Sequence, residues 1–199
     1  VTTLLKDVVA PTTLATGLAR RGHAVTVCTT DVRDRETRLA PGEGRTGAVG
    51  LDVRVFPNRS NWLAYEWQFF TPAGLRQYLH GAVRRFDIAH IHGHRHLLEV
   101  AAASACRQAG VPFVAAPNGT GPRVERRRGL KRVWDGLWGT RDLADAAAVL
   151  AVSEAERRQL QAIGVDAARI RLVPNPLNLD EFDPPVQRGR FRASRGIDA

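Results

Sequence analysis

Residues 86–96 read FDIAHIHGHRH, a short apolar run that is interrupted by histidines and followed by Gly93. Its length and its isoleucines favour a buried strand over Ile88–His92. Four histidines fall within seven positions at the end of that strand. In a parallel sheet, the residues that follow a strand line the ligand crevice. This segment therefore predicts both a strand and one wall of a site.

Outward from this segment, short β-branched runs alternate with longer stretches of helical period. This alternation is typical of β-α-β units and predicts an α/β fold, a Rossmann-like three-layer domain around a mostly parallel sheet. Gly22, Gly110 and Gly164 support the prediction, because each closes a helix ahead of a strand. The predicted strands are Ala24–Thr29, Leu51–Phe56, Ile88–His92, Phe113–Ala116, Val149–Val152 and Ile170–Val173.

Local signals also place helix starts, a loop and a domain boundary. Thr71 with Pro72 indicates a helix cap and first helical residue, and Ser153 with Glu156 is a capping-box pattern. Residues 33–50 are polar and hold four glycines, which predicts a mobile loop or weak hairpin. From Pro174 the chain becomes rich in proline and asparagine, and then basic. We therefore expect a domain over 1–184, and a truncated interdomain linker or the start of a further domain over 185–199.

The composition is that of one globular domain. The chain has 199 residues, 44% of them hydrophobic and 25% charged. It has no apolar run long enough to span a bilayer and no signal-peptide pattern at its start, so we expect a cytoplasmic protein. Cys28 and Cys106 lack C-x-x-C spacing and are expected to be reduced and structural.

The formal net charge is +9, which favours an anionic partner such as phosphate, lipid headgroups or nucleic acid. Only Lys6 and Lys131 are lysines, so arginine supplies nearly all of the positive charge. An arginine-rich and alanine-rich composition also follows from GC-rich coding. Nucleic acid is therefore the least favoured of the three partners.

The histidine-rich strand end supports two hypotheses. His90, His92 and His94 would share one face of a continuous strand and could then reach a common metal ion. Gly93 is expected to end the strand, and no carboxylate lies nearby in the sequence, so we predict no metal site. In the alternative, His90 is buried and bonded to backbone, while His92, His94 and His96 contact hydroxyls or phosphate.

Residues 113–121 read FVAAPNGTG, a strand followed by a turn that contains glycine. Such a turn can present amide N–H groups to an anion. It lacks the glycine patterns of dinucleotide sites and P-loops, so a tight structural turn is an equal alternative. Position after a strand defines the candidate cleft residues, which are His92, His94, Asn118, Gly119, Thr120 and Ser153.

Residues 126–138 predict a cationic amphipathic helix, because apolar side chains recur at helical spacing among dense positive charges. Its apolar stripe either packs on the core or settles at an anionic lipid interface. A packed helix could also steer a phosphorylated or lipid-linked substrate. The residues of this surface are Arg127, Arg128, Lys131, Arg132, Trp134 and Trp138. A second interfacial patch, or alternatively core, is predicted for Trp62, Tyr65, Trp67, Phe69 and Phe70.

From about Leu18 to its end, the chain resembles the N-terminal, acceptor-side domain of family-4 glycosyltransferases, one half of a GT-B fold. Four phrases carry the resemblance through their order and spacing. They are LARRGHAVTV at 18–27, FDIAHIHGH at 86–94, VLAVSE at 149–154 and VPNPLNLDEF at 173–182.

The resemblance implies two Rossmann-like domains that face a cleft, with the acceptor bound mainly by the first and a nucleotide-sugar mainly by the second. It implies retaining transfer of a sugar to a glycan or lipid-linked acceptor, as in polysaccharide biosynthesis, with no cofactor and usually no metal. Since the C-terminal donor-binding domain is not in this chain, we expect the chain alone to be inactive. A peripheral position on the inner face of the membrane is expected.

Two other functions remain open at this point. A stand-alone, non-catalytic carbohydrate- or anion-binding module is the alternative to the enzyme half. A sugar-nucleotide epimerase of the same architecture is less favoured, because the phrase at 173–182 fits the transferases better.

The sequence departs from the family pattern at two places. Members usually begin with a strand and a glycine-rich turn, whereas Val1–Gly17 has no such turn and only Leu4–Ala10 could substitute for the strand. Many members have a histidine where this chain has Asn118. Asparagine hydrogen-bonds a hydroxyl but does not titrate, so no catalytic residue is assigned.

Overall fold

The computed structural model describes residues 2–5, 9–40, 49–67, 69–94, 96–119, 134, 139–177 and 189–197. The strands are β1 Thr2–Leu5, β2 Val25–Thr30, β3 Leu51–Phe56, β4 Ala89–His92, β5 Phe113–Ala116, β6 Ala148–Ala151 and β7 Ile170–Leu172. The helices are α1 Val9–Arg20, α2 Asn61–Trp67, α3 Leu75–Ala82, α4 Leu97–Ala109, α5 Thr140–Asp145, α6 Glu154–Ala162 and α7 Arg190–Ser194. Two short 3₁₀ turns cover Val83–Arg85 and Ala167–Arg169.

The strands form one parallel sheet in the order β3-β2-β1-β4-β5-β6-β7. Strands β2 and β3 lie on one side of β1, and strands β4 to β7 lie on its other side. The neighbouring strands β1 and β4 therefore form the topological switch point. Ligands of open α/β sheets bind outside the carboxyl ends of the strands at this point. The predicted Rossmann-like α/β fold is thus confirmed, and His92, the last residue of β4, lies at the switch point.

The core has two parts, one on each face of the sheet. Ile91 and Phe113 belong to the larger part, together with Leu79 of α3 and Cys106 of α4. The smaller part joins α1 to β2 and is formed by Ala15, Ala19, Val25 and Val27. Helices therefore cover both faces, as expected for a three-layer domain.

Both cysteines are buried free thiols, which agrees with the structural role predicted for them. Burial raises the pKa of Cys28 to about 12 and that of Cys106 to about 11. A thiol with such a pKa stays protonated and unreactive at neutral pH.

The first strand corrects the sequence prediction. The sequence allowed a first strand only over Leu4–Ala10, whereas the strand is Thr2–Leu5 and lies at the centre of the sheet between β2 and β4. The strand that the family pattern requires is therefore present. Residues 6–8, which follow it, lie outside the described residues.

Residues 33–40, the described first part of the expected mobile loop, are held by hydrogen bonds. The carboxylate of Asp34 accepts the backbone N–H groups of Glu36 and Thr37 at 2.8 and 2.7 Å. Asn61 donates from Nδ2 to the carbonyl oxygen of Thr37 at 2.8 Å and so ties this loop to α2. Val32 and Arg38 also form an isolated antiparallel bridge, and Leu39 donates its backbone N–H to the carbonyl oxygen of Asp31 at 2.7 Å, so the described part of this loop is a weak hairpin.

The predicted helix start at Thr71 and Pro72 is wrong. The backbone N–H of Thr71 donates to Oδ1 of Asn58 at 2.6 Å, and Pro72 forms an isolated antiparallel bridge with Asn58. Helix α3 begins only after Gly74, whose φ is 79°. The backbone N–H of Ala73, which a cap at Thr71 would have used, donates instead to the carbonyl oxygen of Pro57 at 2.8 Å.

Candidate functional site

Two buried histidines lie side by side at the switch point. His90 and His92 are both 8% exposed, and their rings stack with centroids 4.1 Å apart. They share one face because they are two residues apart in a strand. The strand register puts them on the face that α1 covers, since His90 and Val27 are both paired with Thr3.

Burial keeps both imidazoles uncharged. It lowers the pKa of His90 to about 4 and that of His92 to about 3, and His90 contributes to the lowering at His92. Within the described residues, the Nε2 atoms of both rings have no hydrogen-bond partner. His90 was predicted to be bonded to backbone; the structure instead shows a stacked pair.

Asn118 contacts His92 from the neighbouring strand end. Its Nδ2 lies 3.3 Å from Nδ1 of His92. An amide nitrogen can only donate, so Nδ1 accepts and the ring proton sits on Nε2. The backbone of Asn118 is left-handed, with φ 49°, a conformation that asparagine tolerates better than most residues. The structure thus brings two of the predicted cleft residues together.

The turn after β5 does not offer the backbone N–H of Gly119 to an anion. The backbone N–H of Gly119 donates to Oε1 of Glu156 at 2.6 Å. The other carboxylate oxygen, Oε2, accepts the N–H of Val152 at 2.8 Å, and Glu156 is only 3% exposed. An amide already bonded to a carboxylate does not bind phosphate, so the anion hypothesis is wrong at Gly119. Thr120 lies outside the described residues.

His94 and His96 lie beyond the end of β4 and are both buried. His94 lines a cavity of about 130 Å³ with Thr140 and Leu143 of α5. His96 precedes α4, donates its backbone N–H to Oε2 of Glu99 at 2.5 Å and meets the ring of Phe70 edge-on. The structure therefore places these two histidines against helices.

Ser153 follows β6 and caps α6, where its hydroxyl oxygen accepts the backbone N–H of Glu156 at 3.2 Å. The predicted cap is confirmed. The reciprocal bond of a capping box is replaced, since the Glu156 carboxylate bonds to Val152 and Gly119.

The predicted cationic helix falls largely outside the described residues. Of its six surface residues only Trp134 is described, and it is half-buried in a small cavity with Leu143 and Phe113. That position favours core packing for this tryptophan. Arg127, Arg128, Lys131, Arg132 and Trp138 lie outside the described residues.

The second aromatic group is mostly exposed. Phe70 is buried, whereas four other aromatic side chains, on α2 or just after it, are exposed to solvent. These are Trp62, Tyr65, Trp67 and Phe69, exposed by 49%, 56%, 49% and 38%. We call them the α2 aromatic patch.

A polar cluster forms at the carboxyl ends of β2 and β3. Asp31 accepts the backbone N–H of Asn58 at 2.7 Å and pairs with Arg38, whose Nη1 lies 2.9 Å from Oδ2. Asp31 and Asn58 lie at this edge because they follow β2 and β3, which end at Thr30 and Phe56. No local pattern pointed to Arg38, which reaches them from within the glycine-rich loop. In the described part of the chain, no group of three or more His, Cys, Asp or Glu side chains could hold a metal ion.

The strand order defines a Rossmann-like domain whose switch point lies between β1 and β4, the position at which open α/β sheets bind their ligands. Residues 10–181 match the profile of Glycosyltransferase Family 4. The chain therefore belongs to Glycosyltransferase Family 4. A comparison with curated proteins finds no significant match.

Solved structures share the fold at low identity. Anabaena Alr3699/HepE, in complex with UDP and glucose, superimposes with a TM-score of 0.67 and is 17% identical over 98% of this chain and 49% of its own. UDP-N-acetylglucosamine 2-epimerase from Rickettsia bellii gives a TM-score of 0.53 and 13% identity over 99% of this chain and 51% of its own. The chain thus spans about half the length of these structures.

Proposed function

We propose that this chain is the acceptor-binding half of a retaining glycosyltransferase that moves a sugar from a nucleotide-sugar to a glycan or lipid-linked acceptor. The observation that carries the proposal is the pair of His92 and Asn118 at the crevice of a Glycosyltransferase Family 4 chain. Both side chains are uncharged and polar, which suits the hydroxyls of a sugar. The structurally similar HepE was solved with UDP and glucose, which supports a nucleotide-sugar as the donor.

The electrostatics of the turn after β5 favour a neutral group there. The buried carboxylate of Glu156 lies directly beneath the Asn118–Gly119 turn. A negative charge in a poorly solvated place repels a phosphate. On this proposal, Asn118 meets a sugar hydroxyl, and the donor diphosphate binds elsewhere.

The reaction forms a bond between the acceptor hydroxyl oxygen and the anomeric carbon of the donor sugar. The bond from that carbon to the nucleoside diphosphate breaks, and the proton of the hydroxyl passes to an oxygen of the departing diphosphate. Asn118 cannot accept that proton, and a histidine with the pKa of His92, about 3, is a weak base. Their contribution is therefore orientation of the bound sugar, an effect that can lower a barrier by several kcal/mol.

The donor is proposed to bind mainly to a second Rossmann-like domain, which would be the principal partner of this chain. The solved structures are about twice as long as this chain, which supports a two-domain enzyme. We therefore expect negligible turnover by the 199-residue chain alone. No cofactor is proposed, because the nucleotide-sugar is a substrate.

A peripheral position at the inner face of the membrane is also proposed. The α2 aromatic patch supports it, because tryptophan and tyrosine favour the bilayer interface. Arg35, 55% exposed, pairs with Glu66 of α2 at 3.3 Å, so this ion pair adds no net charge beside the patch. Within the described residues, no helix has the length and apolar character needed to cross a bilayer.

Sugar binding can be tested on the 199-residue chain by NMR. The isotope-labelled chain is titrated with neutral oligosaccharides, and the expected result is a set of shifts centred on His92 and Asn118. Asn118→Ala should weaken binding several-fold, because an amide partner of the hydroxyl is lost. Gln77→Ala, which removes an exposed amide on α3, is the matched control and should not change the affinity.

Turnover is assayed separately with UDP-glucose and the same oligosaccharides or polyprenyl-linked sugars. Transfer by the chain alone at a rate typical of enzymes would refute the half-site proposal. If oligosaccharides bind, and the reading frame ends near Ala199 without a second Rossmann-like domain, the non-catalytic carbohydrate module becomes the better description.

A further inference from the structure

A buried carboxylate links two strand ends next to the candidate site. Glu156 is the third residue of α6 and is 3% exposed. Its two oxygens accept backbone N–H groups from different segments, Gly119 after β5 at 2.6 Å and Val152 after β6 at 2.8 Å. A capping-box glutamate would bond to the N–H of the cap residue, Ser153, instead. The Glu156 carboxylate therefore does not complete a capping box but bonds to the loops that follow β5 and β6.

A carboxylate is suited to this position. It offers an acceptor oxygen to each N–H, whereas glutamine offers one oxygen and turns an NH₂ group toward the other N–H. Hydrogen bonds to an ionised acceptor are also shorter and stronger than neutral ones. The distances of 2.6 and 2.8 Å are consistent with such bonds.

The bond to Gly119 fixes the peptide unit that joins it to Asn118. Both residues are left-handed, with φ 49° at Asn118 and 79° at Gly119, a combination that the Asn-Gly pair adopts readily in tight turns. The orientation of that peptide plane sets the direction of the Asn118 side chain, which lies against His92.

We infer that Glu156 is a positioning residue of the site: its carboxylate holds the Asn118–Gly119 turn so that the Asn118 amide donates to Nδ1 of His92. Glu156 is buried beneath the turn and acts through Asn118. The inference rests on the proposed function only in treating this site as the place where a sugar binds.

The test is NMR of the ¹⁵N-labelled 199-residue chain, Glu156→Gln and Glu154→Gln. In the parent chain, the Gly119 amide proton should resonate far downfield and exchange slowly, because it is bonded to a carboxylate. The His92 ring nitrogens should show the proton on Nε2. Glu156→Gln should move the Gly119 proton upfield and shift both the Asn118 side-chain amide and Nδ1 of His92.

Glu154→Gln is the matched control, because Glu154 lies in the same helical turn, exposed, and pairs with Arg157 at 2.7 Å. It should leave all three signals in place. A folded Glu156→Gln variant with unchanged Gly119 and His92 signals would overturn the inference. If that variant does not fold, the Gly119 signal of the parent chain provides the test. An ordinary, rapidly exchanging Gly119 amide in the parent chain would also overturn the inference.

These signals are recorded without any sugar, so the inference and the proposed function can fail separately. A downfield Gly119 proton in a chain that binds no oligosaccharide supports the role of Glu156 in the turn and contradicts the sugar site. Oligosaccharide binding with an ordinary Gly119 amide supports the sugar site and overturns the role of Glu156.

Discussion

At the scale of single residues, His90 and His92 have one property in common: water hardly reaches either ring. Charging an imidazole in such a place is costly, and their pKa values of about 4 and 3 follow from that. The unfolded chain, with an ordinary histidine pKa near 6.5, takes up protons more readily. Folding and protonation at these two positions therefore oppose each other.

The first prediction concerns pH. Because both pKa values are depressed in the folded state, their full contribution to stability is present above about pH 6.5 and is lost as the pH falls toward 4 and 3. Between those pH values, protonation of each histidine should lower the free energy of unfolding by up to about 1.4 kcal/mol for every unit by which the pH falls. Urea unfolding between pH 7 and 5 measures the slope.

His92→Gln should remove a large part of that slope, whereas His80→Gln, on the exposed side of α3, serves as the control and should not. Equal slopes in the parent chain and in His92→Gln would contradict the assignment of the pH dependence to the buried pair.

The second prediction concerns Gly93, which has φ 93° directly after β4. A Cβ atom there would lie 2.5 Å from Oε1 of Glu99, whose other oxygen accepts the N–H of His96. Gly93→Ala combines left-handed strain with this clash and should cost roughly 1–3 kcal/mol of unfolding free energy. Chemical denaturation measures the loss.

Gly81→Ala is the matched control. Gly81 lies inside α3, its φ is not positive and no atom lies within 4 Å of the added methyl group. This change should stabilise the chain by about 0.5–1 kcal/mol, because alanine is the better helix former. If Gly93→Ala and Gly81→Ala changed the free energy of unfolding in the same direction, the structural account of Gly93 would be contradicted.

At the scale of elements, α4 and α6 begin in the same way. Each follows a strand of the site, and each buries a glutamate at its third position, Glu99 at 6% and Glu156 at 3% exposure. Both carboxylates bond to backbone N–H groups of the loop after that strand. Negative charge is also favourable at a helix N-terminus. The two loops of the crevice are thus held by the helices that follow them.

The sequence predicted six of the seven strands, because apolar runs and closing glycines are local signals. It missed β1, since a four-residue strand is recognised mainly by its pairing with distant partners. It also predicted Ser153 as a cap correctly. It could not show that Glu156 reaches Gly119, which is 37 residues away, because nothing in the local pattern distinguishes that contact from an ordinary capping box.

The third prediction concerns the α2 aromatic patch. If the chain binds membranes through it, Trp62→Ala and Tyr65→Ala should each weaken binding to phosphatidylglycerol vesicles by roughly tenfold, since inserting such a side chain contributes at least about 1.5 kcal/mol. Co-sedimentation measures the binding. Phe191→Ala on α7 removes an aromatic ring that is 67% exposed and should have no effect. Uniform losses in all three variants would indicate nonspecific adsorption.

At the scale of the whole molecule, the two halves of the sheet meet at β1, a strand of four residues. β1 joins β3-β2 to β4-β5-β6-β7, so both halves of the sheet are hydrogen-bonded to it. Late in the sequence, the described residues 189–197, which contain α7, are all exposed.

The fourth prediction follows from this asymmetry. A chain that starts at residue 9 should lose cooperative unfolding, because β2 and β4 lose their shared partner. A chain that ends at residue 188 should unfold within about 0.5 kcal/mol of the parent, since it loses an exposed segment. Urea unfolding followed by circular dichroism measures both. A cooperative transition in the first variant would show that the sheet tolerates the loss of its centre.

The direction of β1 also matters for anyone who attaches something to this protein. Parallel strands all enter the sheet at the edge opposite the crevice, and β1 begins there at Thr2. An affinity tag, fluorophore or surface linker placed ahead of Thr2 should therefore leave the molecule on its far side. Immobilised in that way, the chain should present His92 and Asn118 to a flowing sample of sugars.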